Sequence, residues 1–151
     1  MTNTGKYVEM RWRILGHGGA IWSLEMNGER VDTPTTYVCD SFSELLRAAG
    51  DIKSGSEATY ALLAGEPSGS ILFLSRSGDQ LQLRLVSFSA MSVAMTRFID
   101  GTLRWHGSMP SKGFIDAVIT MADAVQGEYG LQNFEQLWGH PFPLKRLAKL
   151  R

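Results

Sequence analysis

Histidines and the single cysteine are the residue types in this sequence that most often carry chemistry. The three histidines, His17, His106 and His140, lie far apart and have no metal-ligand spacing such as H-x-x-x-H. Cys39 would need a neighbouring histidine to act as a nucleophile, and the simpler interpretation is a small buried hydrophobic residue at the end of a strand. The sequence therefore predicts no catalytic residue and no metal site.

The glycine cluster Gly16-His17-Gly18-Gly19 has two chemical interpretations. It resembles the His-Gly-Gly oxyanion turn of esterases, but no G-x-S-x-G stretch accompanies it. A phosphate-binding loop would need the N-terminus of a helix directly after the glycines, and the pattern of a strand follows instead. We therefore expect a plain turn here and no bound cofactor.

Arginines at alternating positions of predicted strands suggest a binding surface. The planar guanidinium combines charge with bidentate hydrogen bonding, and arginine is enriched at protein interfaces. Strand alternation directs these arginines away from the tryptophans and leucines between them, towards one open sheet face. The residues predicted to bind a partner on this face are Arg11, Arg13, Glu25, Arg84, Arg104 and His106. The alternative is a solvated face with cross-strand ion pairs, which Glu9 would also join.

The strands that carry these residues are predicted from a period of two. Strands are predicted at 8–14, 21–26, 31–39, 71–76, 80–88 and 102–106, with a segment at 57–64 that is either extended or helical. Asn27-Gly28 and Ser77-Gly78-Asp79 are reverse turns between neighbouring strands. Pro34 places its strand at a sheet edge or a bulge. No regular pattern is found at 89–101.

Helical periodicity dominates the C-terminal third of the chain. Helices are predicted at 111–129, 131–138 and 144–150, with Gly130, Gly139 and Pro143 at their boundaries. An earlier short helix would begin with a capping box of Ser41 and Glu44, with Asp40 as the competing cap, and would end at Gly50. Strands first and helices last indicate one α+β domain over residues 1–151. We expect an antiparallel sheet of five or six strands with the C-terminal helices packed on one face.

The bulk composition narrows the classes of partner. Lysine plus arginine equals aspartate plus glutamate at 15 each, so the basic excess of a nucleic-acid-binding protein is missing. No apolar run is long enough to span a membrane, and the polar segment Met1–Lys6 does not resemble a signal peptide. A single cysteine is compatible with the reducing cytoplasm. We expect a cytoplasmic protein without nucleic-acid or membrane partners.

Several short motifs resemble those of a family of small bacterial proteins that are similar to toxin-immunity proteins. The motifs are the strand-to-helix step at 37–46, Gly65-Glu66-Pro67, Gly78-Asp79, Tyr129-Gly130, Leu137-Trp138 and Phe142-Pro143. The resemblance implies a protein that binds one cognate toxin and blocks it directly, and it transfers no catalytic residues. A non-catalytic adaptor or structural protein, such as a homodimer, is the main alternative. An enzyme with a dispersed site is a third hypothesis.

Overall fold

The computed structural model describes residues 7–151, with the backbone alone described for residues 95 and 96. The N-terminal segment for which no signal peptide is predicted, Met1–Lys6, lies outside the described residues. The elements are, in order, β1 (Val8–Gly16), β2 (Gly19–Met26), β3 (Glu29–Thr36), α1 (Ser41–Lys53), β4 (Ala58–Ala64), β5 (Gly69–Ser77), β6 (Gln80–Phe88), α2 (Met91–Arg97), β7 (Thr102–Pro110), α3 (Ser111–Trp138) and α4 (Leu144–Leu150). None of the helices in this described part is long and apolar enough to cross a bilayer.

The strands of the described chain form two antiparallel sheets, which confirms the predicted α+β class. β1, β2 and β3 make a three-stranded sheet in that order, and β4 to β7 make a four-stranded sheet. The prediction of one sheet with five or six strands was wrong. Alternation along a strand indicates which residues face the core, but it carries no information about which strands share a sheet.

Two-residue turns set the register of the three-stranded sheet. His17-Gly18 joins β1 to β2, and Asn27-Gly28 joins β2 to β3. All four residues have positive φ angles between 53° and 80°, as type I′ turns require. The twist of such turns matches the twist of the flanking strands, so the pairing starts directly at each turn. Between Ile14 and Gly16 the register of β1 shifts by one residue, and with this shift Arg11 lies opposite Ser23, which lies opposite Asp32.

The outer edge of β3 offers few free backbone hydrogen-bonding groups. Pro34 has no N–H to donate, and its predicted position on an edge strand is confirmed. The carbonyl oxygen of Asp32 accepts a hydrogen bond at 2.8 Å from the guanidinium of Arg104, which comes from β7. One side chain of the four-stranded sheet therefore covers the edge of the three-stranded sheet.

The outer edge of β4 is covered by two side chains of α1. Arg47 donates to the carbonyl oxygen of Tyr60 at 2.5 Å, and Glu44 accepts from the N–H of Leu62 at 3.1 Å. The same two side chains form an ion pair at 2.9 Å. Because the carboxylate of Glu44 is directed towards β4, it cannot take part in the predicted capping box.

The start and the end of α1 both differ from the prediction. Asp40 accepts the N–H of Ser43 at 3.3 Å, so the competing candidate caps the helix in place of Ser41. The helix also continues past Gly50 and ends at Lys53. A glycine inside a helix costs about 1 kcal/mol relative to alanine, which packing against other elements readily offsets.

The C-terminal helices agree with the prediction. α3 begins at Ser111, as expected, and Gly130 interrupts it with a non-helical backbone (φ 74°, ψ 167°). Gly139 ends it in the left-handed region, and α4 follows Pro143. The unassigned segment 89–101 contains the short helix α2, and the ambiguous segment 57–64 is the strand β4.

An aromatic cluster joins the three-stranded sheet to the helices. The ring of Trp12 meets that of Trp138 edge-on at a centroid distance of 4.9 Å, and it lies 5.2 Å from the ring of Phe42. Phe134 packs 5.0 Å from Phe42 on the other side. Residues from both sheets and from α3 are at most 3% exposed in this core: Trp12, Trp22, Leu83 and Val118. This shared core holds the three-stranded sheet in place and leaves its opposite face to solvent.

Candidate functional site

The outer face of the three-stranded sheet carries six charged side chains in adjacent rows. We call this set the charged face, and it consists of Glu9, Arg11, Arg13, Glu25, Arg30 and Asp32. In the sheet register Glu9 lies opposite Glu25, which lies opposite Arg30. Opposite charges alternate along β1, from Glu9 to Arg11, and along β3, from Arg30 to Asp32. Across the strands, Glu9 and Glu25 place two carboxylates side by side.

Ion pairs along the strands hold several of these side chains in place. Arg11 donates through Nε to Glu9 at 2.8 Å, and Arg30 donates through Nε to Asp32 at 2.9 Å. The hydroxyl of Ser23 donates to the same oxygen of Asp32 at 2.6 Å. Ser23 faces outward, as its strand position predicts, but it is only 8% exposed because neighbouring side chains cover it.

These contacts stabilise the charged forms of the groups involved. Hydrogen bonds from Ser23 and Arg30 hold the pKa of Asp32 below its ordinary value, and the positive charge of Arg13 acts in the same direction. The hydrogen bond from Arg11 lowers the pKa of Glu9 in the same way. Both carboxylates, Glu9 and Asp32, therefore stay ionised throughout the neutral pH range.

Arg13 and Glu25 differ from the other members of the charged face. Both side chains are exposed, and neither forms an ion pair with another residue between 7 and 151. No other described residue pairs with their charges, so their hydrogen-bonding capacity is open to solvent or a ligand. These two residues are the ones on this face that are most available to a partner.

The remaining predicted site residues lie on the other sheet. Arg84 lies opposite His106 on β6 and β7, and both are exposed on the outer face of the four-stranded sheet. The expectation that all four arginines share one sheet face was therefore wrong. Arg104 lies beside a register shift in β7, and its guanidinium reaches Asp32 and Thr33 of β3. Its observed contacts join the two sheets.

Two members of the charged face, Arg30 and Asp32, were missed from the sequence. Their signal was the two-residue turn Asn27-Gly28, which places Glu29 opposite Met26. Continuing the strand pairing outward from that turn places Arg30 and Asp32 on the same face as the charged residues of β1. The information was therefore local and could have been used.

Cys39 and His140, two of the residues first considered for chemistry, lie in environments that fit a structural role. Cys39 is half-buried, and burial, followed by the negative charges of Glu44 and Asp40, raises the pKa of its thiol to about 11. A thiol with such a pKa is a poor nucleophile at neutral pH. Within the described residues no cluster of three or more histidine, cysteine, aspartate or glutamate side chains could hold a metal ion. His140 contacts the carbonyl oxygen of Tyr37 at 2.7 Å.

Comparison with known proteins bears on the fold. The fold is similar to one found in a toxin and immunity complex. A chain of the CdiA-CT/CdiI toxin and immunity complex from Enterobacter cloacae matches this protein with a TM-score of 0.50 and 11% sequence identity. The match covers 77% of this chain and 97% of that chain. The resemblance to toxin-immunity proteins that the sequence motifs indicated is thus confirmed at the level of the fold. No protein-family model matches the sequence, and no curated protein is significantly similar to it.

Proposed function

We propose that this protein is an immunity-type inhibitor that binds one cognate toxin in the cytoplasm and blocks it by direct occlusion. The observation that carries the proposal is the charged face, where Arg13 and Glu25 are exposed and form no ion pair with another described residue, on a sheet anchored on a packed core. The fold similarity to a chain of a toxin and immunity complex supports it. Occlusion requires no chemical reaction, so we assign no catalytic residue to this protein.

The charged face has the physical properties of a selective binding surface. Its side chains stand on paired strands, and the ion pairs of Arg11 and Arg30 restrict their rotamers before any partner arrives. Binding then loses less conformational entropy than it would on a mobile loop. A fixed pattern of positive and negative charges also favours the one partner surface with the complementary pattern and penalises surfaces that place like charges together.

Calorimetry with a defined partner tests the proposal. The partner to be tested is the C-terminal domain of any large secreted protein encoded next to this one, and we expect one-to-one binding together with protection of cells that express the domain. Arg13→Ala should cost about 2–5 kcal/mol of binding energy if its partner is a buried carboxylate. That loss corresponds to a roughly 30- to 5,000-fold weaker dissociation constant.

A matched control separates the face from a general effect of charge. The side chain of Lys112 is 86% exposed and forms an ion pair with Asp116 on α3, so Lys112→Ala removes one positive charge away from the sheet. We expect this variant to bind like the wild type. If Arg13→Ala and Glu25→Ala both keep full affinity, the charged face is not the binding surface. If the wild type binds no such domain, the immunity function is rejected for that partner and the adaptor alternative gains weight.

A further inference from the structure

A cleft of about 710 Å³ lies between the end of β3 and one end of the four-stranded sheet. Pro34 and Thr36 of β3 line one side of it. The β4–β5 turn, the end of β6 and the start of β7 line the remainder, with Ser70 and Ser87 among the lining residues. The cleft is larger than a single side chain, so it has room for a side chain together with some of its flanking backbone.

One hydroxyl group that lines this cleft has no hydrogen-bond partner among the described residues. Thr36 Oγ1 is buried and unpaired in this part of the chain. Buried polar groups in folded proteins are nearly always hydrogen-bonded, so an unpaired hydroxyl beside a cleft favours a polar ligand.

The charges that line the cleft favour a positively charged ligand. Glu66 and Asp100 are exposed, and neither forms an ion pair with another described residue. Arg104 also lines the cleft, but its guanidinium donates to Asp32 and Thr33 of β3. Two carboxylates against one guanidinium that is already engaged leave a net negative lining.

The turn that carries Glu66 is held in place before any ligand binds. Gly65 donates its N–H to the carbonyl oxygen of Ser68 at 3.0 Å, and Met91 donates to that of Pro67 at 2.8 Å. A side chain at Gly65 would lie 2.8 Å from the Ser68 oxygen, so the tight closure of this turn depends on glycine there. The Glu66 carboxylate is therefore presented from a fixed backbone, which reduces the entropy lost on binding.

We propose that this cleft receives an arginine side chain from the surface of the protein partner. The guanidinium offers five N–H donors and no acceptor, which matches a cleft lined by two carboxylates and an unpaired hydroxyl oxygen. That the arginine comes from a toxin rests on the proposed function, whereas the preference of the cleft for arginine rests on its lining residues alone. The two parts can be tested separately.

The first test uses a small probe and needs no toxin. Acetyl-Gly-Arg-Gly-amide is titrated into ¹⁵N-labelled protein, and the backbone amide signals of Thr36, Ser68 and Ser70 are followed by NMR. We expect changes in the amide chemical shifts that saturate at millimolar peptide concentrations. The matched peptide with norleucine in place of arginine has an apolar, uncharged side chain and should cause no such changes. Equal shifts with norleucine, or arginine-induced shifts confined to other surfaces, would overturn the arginine site.

Variants make the assignment specific. The double variant Glu66→Gln/Asp100→Asn should weaken peptide binding by about tenfold or more, because it removes both unpaired carboxylates. The control Glu57→Gln/Asp79→Asn removes two exposed carboxylates next to the ends of β4 and β5 that lie away from the cleft. This variant should bind the peptide like the wild type. Equal binding by both double variants would refute the proposed role of the cleft charges.

The second test identifies the source of the arginine. Glu66→Gln/Asp100→Asn should also weaken binding to the adjacent toxin domain by about tenfold or more. A toxin domain that binds this variant as tightly as the wild type would overturn the toxin as the source. Peptide binding without any toxin binding would leave the cleft chemistry supported and would reject the proposed function instead.

Discussion

Arg104→Ala is the substitution that best separates a structural arginine from a binding arginine. The sequence groups Arg104 with the partner-binding residues, yet in the structure it donates to the carbonyl oxygen of Asp32 at 2.8 Å and to Thr33 Oγ1 at 3.4 Å. Thr33 is 1% exposed, so water replaces this donor poorly. Arg13, by contrast, makes no ion pair with a described residue. The two arginines should therefore respond differently to the same change.

The expected loss of stability follows from the two contacts. A hydrogen bond from a charged donor contributes about 1.5–3 kcal/mol when it is well protected from solvent. The short bond of Arg104 is solvent-exposed and the second is long, so we discount the sum to about 1 kcal/mol. For a domain of this size, that loss should lower the melting temperature by roughly 2–4 °C. Arg13→Ala should change the free energy of unfolding by less than about 0.5 kcal/mol.

Differential scanning calorimetry at pH 7, supported by urea unfolding, measures both effects. Arg104→Lys keeps the charge but not the planar fork, so its melting temperature should lie between those of the wild type and Arg104→Ala. The reasoning is refuted if Arg104→Ala and Arg13→Ala melt at the same temperature. In that case the contact with β3 would contribute nothing to joining the sheets, and Arg104 would return to the set of binding candidates.

Further predictions concern the core, the charged face and the thiol. Val118→Asp places an unpaired carboxylate at a position with 0% exposure and should cost several kcal/mol in urea unfolding, whereas Asp116→Ala on the exposed side of α3 should cost little. Ser23→Ala removes the largest contribution that lowers the pKa of Asp32, so NMR titration should find that pKa closer to its ordinary value. Because folding lowers the pKa of Asp32, the ionised carboxylate stabilises the fold at any pH above its ordinary pKa. This stabilisation is lost as the pH falls through the pKa of the folded state. Ser23→Ala should therefore lose less stability than the wild type on acidification. Cys39, with a thiol pKa of about 11, should react with iodoacetamide at pH 8 roughly 100-fold more slowly than an exposed thiol, and a rate equal to that of glutathione would contradict its burial.

The correct predictions depended on local sequence information. The turn at Gly78-Asp79 and the helix that starts at Ser111 are encoded within a few residues, by turn chemistry and by periodicity. The burial of Trp12 and Trp22 followed from alternation, because their strands have one apolar and one polar side. Such features require no knowledge of distant segments.

The wrong predictions involved pairings between distant segments. Arg104 and Asp32 are 72 residues apart, and nothing in either strand indicates that they meet. Glu44 satisfies the sequence pattern of a capping box, but its carboxylate contacts Leu62, which belongs to a strand that follows the helix. The cleft beside Thr36 combines four separate segments, so it also leaves no signature in the sequence.

The covered edges of β3 and β4 limit the ways in which any polypeptide can attach to this protein. A partner strand could not lengthen either sheet there without displacing Arg104 or Arg47, and Pro34 offers it no donor. Attachment at these edges through main-chain hydrogen bonds, which are nearly indifferent to sequence, is therefore disfavoured. At the edges of β3 and β4, recognition is left to side chains, which can be replaced one at a time without altering the sheet. A scaffold of this kind can acquire a new binding specificity through single substitutions, without having to evolve a new fold.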